Sequence, residues 1–381
     1  MGKKIIILGG GTGGLVVANR LSKFLSKDNE IVLVDKEKNH IFNPSLLWVM
    51  AGWRNQQKIQ KPLSILQRKG IKFINAEVSK IDFENRKVVT TEGESDFDYL
   101  VISLGASTFP DRANGFEEAA YNLYDLSGAV RIREAIENFE RGRIVILISS
   151  KPFKCPAAPY EAALTLSAYF KKKRRDVEIE VATPELLPMG VAGKEVGNMV
   201  VSLLQSRGVT FLPQHQMDRI DPSKREIHFQ DKEKVSYDFL IGIPPHGLPP
   251  VLSGSPILGE SGWVKVNMRT LETDIENVLA LGDVTTIPLV VGKPLPKAGV
   301  FAHLQADIVA HNIAESVKGT SSKKEFNGNG YCFIELGDGR AGYASGNFYA
   351  EPSPVVKLKK PSRFRHWEKV LFEKWWLWKW F

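Results

Sequence analysis

KKIIILGGGTGG, Lys3 to Gly14, is the stretch that decides the fold. Its β-branched apolar run, Lys3 to Leu8, reads as a buried strand that delivers the chain into a glycine turn. Gly9, Gly11 and Gly14 stand in G-x-G-x-x-G spacing, and Leu15 to Ser26 behind them is expected to be helical. Such a turn lets a pyrophosphate approach bare backbone at a helix N-terminus, where free N–H groups and the helix dipole favour anions. A second strand, Glu30 to Val34, ends at Asp35, about 20 residues on, where a carboxylate is needed to hold a ribose hydroxyl. A purely structural glycine turn would leave that acid unexplained. The first domain therefore reads as dinucleotide-binding.

The loop NHIFNPSLLWVMAGW, Asn39 to Trp53, carries His40 and Asn43, both expected to be solvated or locally hydrogen-bonded. Ile59 to Leu66 looks helical after Pro62, Ile71 to Ala76 is a strand, Val78 to Asp82 and Lys87 to Thr91 form a hairpin, and Phe97 to Leu104 is a buried strand. Much later the chain returns to this domain with VLALGDV, Val278 to Val284, followed by a Pro-started helix over Pro294 to Ile313. Asp283 at that strand end can hold a polyol hydroxyl, and the helix start with Lys297 brings positive charge to a reduced ring. This second signature, with Gly282 and Gly299, narrows the dinucleotide to FAD, whose ribityl chain needs a hydroxyl partner beyond the pyrophosphate turn. Lys36, Val78 and Gly105 complete the positions expected to contact it.

From Ala106 strands and helices alternate again, which implies a second parallel sheet. Its helices are read near Leu126 to Glu140, at Tyr160 to Lys173 and at Lys194 to Arg207. Its strands fall at Arg143 to Ile148, Val177 to Ala182, Val209 to Leu212 and Phe239 to Ile243, with a hairpin at Met217 to Phe229. A second nucleotide turn belongs inside IVILISSKPFKCPAAPYE, Ile144 to Glu161, yet no glycine occurs from Ser149 to Glu161. Cys155 sits there instead, flanked by Lys151 and Lys154, with Pro156 and Pro159 stiffening the start of the next helix. The turn is not expected to take a nicotinamide cofactor. Over this stretch alone, a lone buried cysteine on an ordinary loop would read the same way.

At 381 residues the chain has room for two or three domains with substantial cores. Two cysteines make no disulfide scaffold, so a bridge between them would be reactive rather than structural. Of the net charge of +8, residues Lys357 to Phe381 supply +6, from eight Lys/Arg and two Glu. The rest is nearly neutral, which argues against a broad nucleic-acid surface. No metal site, signal peptide or transmembrane run is expected. From residue 326 a third piece begins, a glycine-interrupted sheet segment over Gly330 to Phe348 that carries Cys332. Pro352, Pro354 and Pro361 are expected to break the chain before SRFRHWEKVLFEKWWLWKWF, Ser362 to Phe381. Phe364, Trp367, Leu371, Trp375 and Trp378 fall on one helical stripe with Lys and Arg edging the other face. Such a helix lies in the plane of a membrane interface. A core or dimer-interface helix is the alternative.

With these motifs in place the chain resembles the sulfide:quinone oxidoreductase family, close to the flavin subunit of flavocytochrome c sulfide dehydrogenase, over essentially its whole length. KPFKCPAAPYE (151 to 161), PKAGVFA (296 to 302) and YCFIELGDG (331 to 339) carry the resemblance, while GGGTGG is shared with many flavoproteins. It implies an α/β chain with two dinucleotide-binding (Rossmann-like) domains of the FAD-dependent disulfide oxidoreductase type plus a C-terminal membrane-interface region. The expected division is residues 1–105 and 252–325 for FAD, 106–251 for the second domain with its degenerate NAD turn, and 326–381 for the C-terminal piece with a membrane helix at 362–381.

The resemblance further implies a redox pair, Cys155 and Cys332, in which hydrosulfide attacks the sulfur of Cys155 and frees Cys332 as a thiolate favoured by nearby lysines. Two electrons then pass through FAD to a membrane quinone. Glu161 is the candidate proton handler, with a helix-dipole carboxylate as the alternative, and Phe348, Tyr349 and Phe364 are candidate quinone-lining residues. Two departures matter. Asn122 to Val130 lacks the third cysteine of many members, so the FAD is expected to be non-covalent, and Leu187 to Gly193 lacks their histidine. Sulfide, quinone and the membrane surface are the expected partners, without nucleic acid; a homo-oligomer stays open. Removing residues 362 to 381 is expected to free the protein from membranes and spare sulfide reduction of the flavin. The alternatives are a flavocytochrome flavin subunit, a type-2 NADH:quinone dehydrogenase and a non-catalytic membrane-associated flavoprotein.

Overall fold

Short β-branched runs buried on both faces make parallel sheets, and this chain builds two of the same design. The structure, a computed structural model, describes residues 2–381. One five-stranded sheet has the order Val278–Ala280, Tyr99–Ile102, Lys4–Leu8, Glu30–Asp35, Ile71–Asn75, every neighbouring pair parallel. The other runs Tyr121–Asn122, Phe239–Ile243, Arg141–Ile148, Asp176–Ala182, Val209–Leu212, again all parallel. Lys4–Leu8 is the central strand of the first sheet and Arg141–Ile148 that of the second. In open sheets of this kind ligands bind at the carboxyl ends of the strands where the order reverses. The glycine turn leaves the first of these central strands and the cysteine turn leaves the second.

Both strands are held as rigid platforms. Ile5 and Ile7 are fully buried against Leu15, Val16 and Val17 of the helix Thr12–Phe24 and against Val309, Ala310 and Ile313 of the helix Gly299–Val317. Ile144, Ile146 and Ile148 are likewise buried with Tyr160, Leu164 and Leu166 of the helix Ala158–Lys173. Each such side chain contributes about 1.5–3 kcal/mol on leaving water.

Elsewhere the chain differs from the reading of its sequence in detail. Leu63–Lys69 is a 3₁₀ segment rather than an α-helix, stopped by Gly70 at φ +76. The loop after Asp35 contains a strand pair, Asn39–Ile41 with Gln60–Pro62, and a short buried helix, Leu46–Met50. The C-terminal piece is an antiparallel sheet of Asn329–Glu335, Ala341–Asn347 and Val355–Ser362. Its last strand runs through Pro361, which was expected to interrupt the chain. An edge strand tolerates proline because one side of its backbone needs no partner. The helix Arg363–Lys379 then starts on Ser362, whose Oγ accepts the Arg365 N–H at 3.2 Å. Among the described residues no helix is long and apolar enough to cross a membrane.

Candidate active site

The glycine turn is built to be approached. A Cβ on Gly14 would lie 1.8 Å from the Gly9 carbonyl oxygen, so the helix must begin tight against the strand. Gly11 forms the N-cap with no side-chain cap and open space where a Cβ would stand. That leaves the first N–H groups of the helix free for an anion. Asp35 closes the far side of the turn, its carboxylate accepting the Gly10 N–H and, at 2.7 Å, that of Glu37. A Cβ on Gly299 would touch Thr12 Oγ1 at 3.5 Å, so two helix N-termini converge here. Gly105, at φ +70 with open space beside it, lies after the neighbouring strand. Lys36 is exposed, and the side chain of Val78 packs into the core.

Asp283 gives the sharpest test of whether a flavin fits. Its Oδ1 is buried without a hydrogen-bond partner, and burial pushes its carboxyl above the usual range. A ribityl hydroxyl is the donor such an oxygen lacks. Gly282, at φ +75, donates its N–H to Gln305 Oε1 at 2.8 Å. Lys297 is 8% exposed, donates to the carbonyls of Asp283 (2.6 Å) and Thr285 (3.0 Å), and rests 3.4 Å from the Trp263 ring centre. Burial brings its ammonium down to about 8. The residues present thus fit FAD, with the glycine turn on the pyrophosphate, Asp35 on the ribose, Asp283 on the ribityl chain and Lys297 beside the ring.

The cysteine turn is fastened to this cleft. The Cys155 N–H donates to the Lys297 carbonyl at 2.6 Å, with Cys155 in the left-handed region at φ +49. Its carbonyl accepts from Ala158 N–H at 2.9 Å and from the Tyr124 hydroxyl at 3.2 Å. Cys332, on the strand Asn329–Glu335, points its thiol at the Phe333 carbonyl, 3.2 Å away. Both cysteines are free thiols. Glu161, in the helix that follows Cys155, accepts the Glu335 N–H at 2.8 Å and the Lys369 ammonium at 2.9 Å. One carboxylate therefore links the helix of Cys155, the strand of Cys332 and the C-terminal helix.

The electrostatics correct one expectation. Burial, reinforced by Glu161, pushes the Cys155 thiol up to about 12, and burial, Glu161 and Cys155 push Cys332 well above its usual range. Lys151 is exposed, and the cation that pulls both thiols back down is Lys369. Lys154 lies close enough to feel both Asp283 and Cys155. In the dithiol state desolvation outweighs the lysines and the helix N-terminus, so both sulfurs keep their protons.

The C-terminal helix reverses the usual arrangement of a surface helix. Phe364, Trp367, Leu371 and Trp378 are 61–76% exposed, and Trp375 is 38% exposed. Lys369, Glu373 and Trp376 are buried against the body. Glu373 accepts from Ser45 Oγ (2.6 Å) and Arg54 Nε (2.8 Å), and Glu335 from His366 Nδ1 (3.0 Å) and Trp48 Nε1 (3.2 Å). Against the burial penalty, His366 and Lys369 hold the Glu335 carboxyl below the usual range. The charged face was expected to meet water; it docks instead, because its partners are already buried. Deleting 362–381 would leave Glu161 buried without the Lys369 ammonium and Glu335 without the His366 donor, and would strip Ser45 and Arg54 of the Glu373 carboxylate, so the helix cannot be removed without disturbing the thiols.

His40 is hydrogen-bonded, as one of its two expected readings had it, but it is buried rather than solvated. Its Nδ1–H donates to the Gly10 carbonyl at 2.9 Å and its Nε2 accepts the Trp376 indole N–H at 3.1 Å, which fixes the tautomer. Burial brings its pKa down to about 4. Asn43 is exposed. The three aromatic quinone candidates do not gather: Phe348 packs on Phe301, Tyr349 packs on Phe326 and donates to the Met268 carbonyl at 2.7 Å, while Phe364 faces outward.

The sequence reading overlooked Tyr124, His246, Trp48, Glu335 and Lys369. His246 Nδ1 lies 2.8 Å from the Pro244 carbonyl, its Nε2 is buried without a partner, and its ring meets Tyr124 edge-on at 5.2 Å. Lys369 had a signal. His366, Lys369, Glu373, Trp376 and Trp380 recur at helical spacing as regularly as the apolar stripe.

Two doubly wound sheets, a flavin cleft and a cysteine turn bound to it define a flavin-dependent oxidoreductase of the disulfide type. The chain belongs to the pyridine nucleotide-disulphide oxidoreductase family, whose pattern matches residues 3–147 and 161–306. The interval between the two matches, 148–160, holds the cysteine turn. The family implies a flavin cofactor. The chain is similar to the sulfide:quinone oxidoreductase of Aquifex aeolicus, whose crystal structure superposes with a TM-score of 0.88 at 26% identity, covering 99% of this chain and 91% of that one. It is also similar to a mitochondrial sulfide:quinone oxidoreductase of Mus musculus, 24% identical over 92% of this chain and 79% of the relative. A type II NADH:quinone oxidoreductase of Staphylococcus haemolyticus is 28% identical over 84% of each chain.

Proposed function

We propose that this protein is a peripheral-membrane sulfide:quinone oxidoreductase, in which the pair Cys155 and Cys332 oxidises sulfide beside a non-covalently held FAD and the electrons leave to a membrane quinone. The observation that carries the reading is the 2.6 Å hydrogen bond from the Cys155 amide to the Lys297 carbonyl, which ties the thiol-bearing turn to the wall of the flavin cleft. Both cysteines of the chain belong to the pair, so none remains for a covalent flavin link.

With the pair oxidised, the sulfur of hydrosulfide attacks Cys155 Sγ, the S–S bond breaks, and its electron pair leaves on Cys332 Sγ while Cys155 holds a persulfide. Lys369 supplies the charge that the departing thiolate needs. Glu161, coupled to both sulfurs and paired with Lys369, holds the proton exchanged as the thiol state changes. Bound FAD supplies the two-electron acceptor between thiolate and quinone. Of the aromatic candidates, Phe364 is the one we assign to a quinone arriving from lipid, an assignment its exposure on the stripe supports.

An NADH dehydrogenase shares the fold. It would need a bare second turn, and here the Cys155 amide and three prolines fill it. Anaerobic titration of the purified yellow protein decides between them. Sulfide should bleach the flavin and NADH should not; bleaching by NADH alone would establish the second reading.

A further inference from the structure

Where the exposed stripe reaches the end of the C-terminal helix, it borders a groove of about 480 Å³ lined by Asn19, Lys23, Lys69, Trp378, Lys379 and Phe381. The three lysines come from separate elements: the last turn of the helix Thr12–Phe24, the end of the segment Leu63–Lys69, and the last residue of the helix Arg363–Lys379. Lys69 donates to Asn19 Oδ1 at 2.9 Å and has no carboxylate partner among the described residues. Burial, Lys23 and Lys379 together hold its ammonium below the usual lysine range. Like charges gathered without a counter-charge oppose folding unless an anion completes them. Trp378, 76% exposed, lines the same groove and is also a member of the stripe. A small soluble anion would answer the lysines and leave that indole in water. An anion with its own apolar tail answers both.

We propose that this groove binds the phosphate headgroup of an anionic phospholipid, with Lys23, Lys69 and Lys379 around the phosphate and Trp378 and Phe381 against the start of the acyl chains. The inference rests on reading the stripe as membrane-facing and adds a lipid preference to it. A lysine near an anionic surface is worth about fivefold in binding.

The test is co-sedimentation of the full-length flavoprotein with vesicles of pure phosphatidylcholine and with vesicles enriched in phosphatidylglycerol. The wild type should favour the anionic vesicles. The variant Lys23→Gln/Lys69→Gln/Lys379→Gln should lose that preference by about a hundredfold, while its binding to neutral vesicles and its bleaching by sulfide stay unchanged. Replacing Lys357, Lys359 and Lys360 by Gln makes the same charge change elsewhere and should cost much less; an equal loss would mean diffuse attraction and overturn the site. Inorganic phosphate, at an ionic strength matched with chloride, should not displace the protein; displacement would reassign the groove to a free anion. Equal binding to both lipids would sink the groove alone, whereas binding to neither would sink the membrane reading as well.

Discussion

The glycine turn at Gly9–Gly14 and the cysteine turn at Ser149–Glu161 leave the central strands of two five-stranded parallel sheets, and from that shared position they do opposite things. At the first, the strand ends in bare backbone, and a Cβ on Gly14 would lie 1.8 Å from the Gly9 carbonyl oxygen. At the second, Phe153 and Ala157 are buried, and the Cys155 amide, which an incoming phosphate would need, is already bound to the Lys297 carbonyl. One turn works by leaving the backbone bare at Gly9, Gly10 and Gly11, and the other by filling that space and presenting a thiol. The same topological slot can hold a cofactor or a reagent, and glycine content decides which.

The comparison breaks most completely at the sulfurs. Cys155→Ser or Cys332→Ser should lower the rate of sulfide-driven bleaching by about three orders of magnitude or more while leaving flavin content at the wild-type level, as stopped-flow absorbance would show. Gly14→Val should do the converse in the first turn: the protein purifies with most of its flavin missing, seen in the ratio of visible to ultraviolet absorbance, because the new side chain meets the Gly9 carbonyl.

Glu161→Gln probes the junction behind the cysteine turn. It leaves Lys369 buried without its partner and should cost about 3–5 kcal/mol in denaturant unfolding. Adding Lys369→Met should restore much of that stability without restoring the sulfide rate; a restored rate would remove Glu161 and Lys369 from the chemistry. The smallest effect concerns the support of the glycine turn. His40 is neutral in the fold with a pKa of about 4, against an ordinary 6.5 in the unfolded chain, so the unfolded state takes up the proton first. Stability from this residue is full above about pH 6.5 and should fall by about 3 kcal/mol as pH drops to about 4. His40→Gln should flatten that part of the profile.

Much of this architecture is written locally in the chain. A strand, a glycine triplet and an acid at the right distance describe the first turn, because each obeys a backbone rule that acts within a few residues. Cys155 stood out for the same reason, as a side chain where glycine belongs. The junction beneath it was opaque, since Glu161, Glu335 and Lys369 lie on three elements far apart in sequence and only tertiary packing joins them. The C-terminal helix shows the limit most clearly. Its apolar stripe was legible from spacing, but which face would be buried depended on carboxylates waiting elsewhere, and burial of charge follows partners rather than hydropathy. Phe348 and Tyr349 were named as quinone-lining candidates on the strength of the family resemblance, and they pack on Phe301 and Phe326.

The two hydrogen bonds that run from the Trp376 indole through the His40 ring to the Gly10 carbonyl join the C-terminal helix to the glycine turn. A helix levered off its seat, by harsh detergent or by a cut near Pro361, pulls on that loop. Colour then becomes a gauge of anchorage: such a protein should pale, shedding its yellow into the supernatant, while its circular dichroism still reports a folded chain.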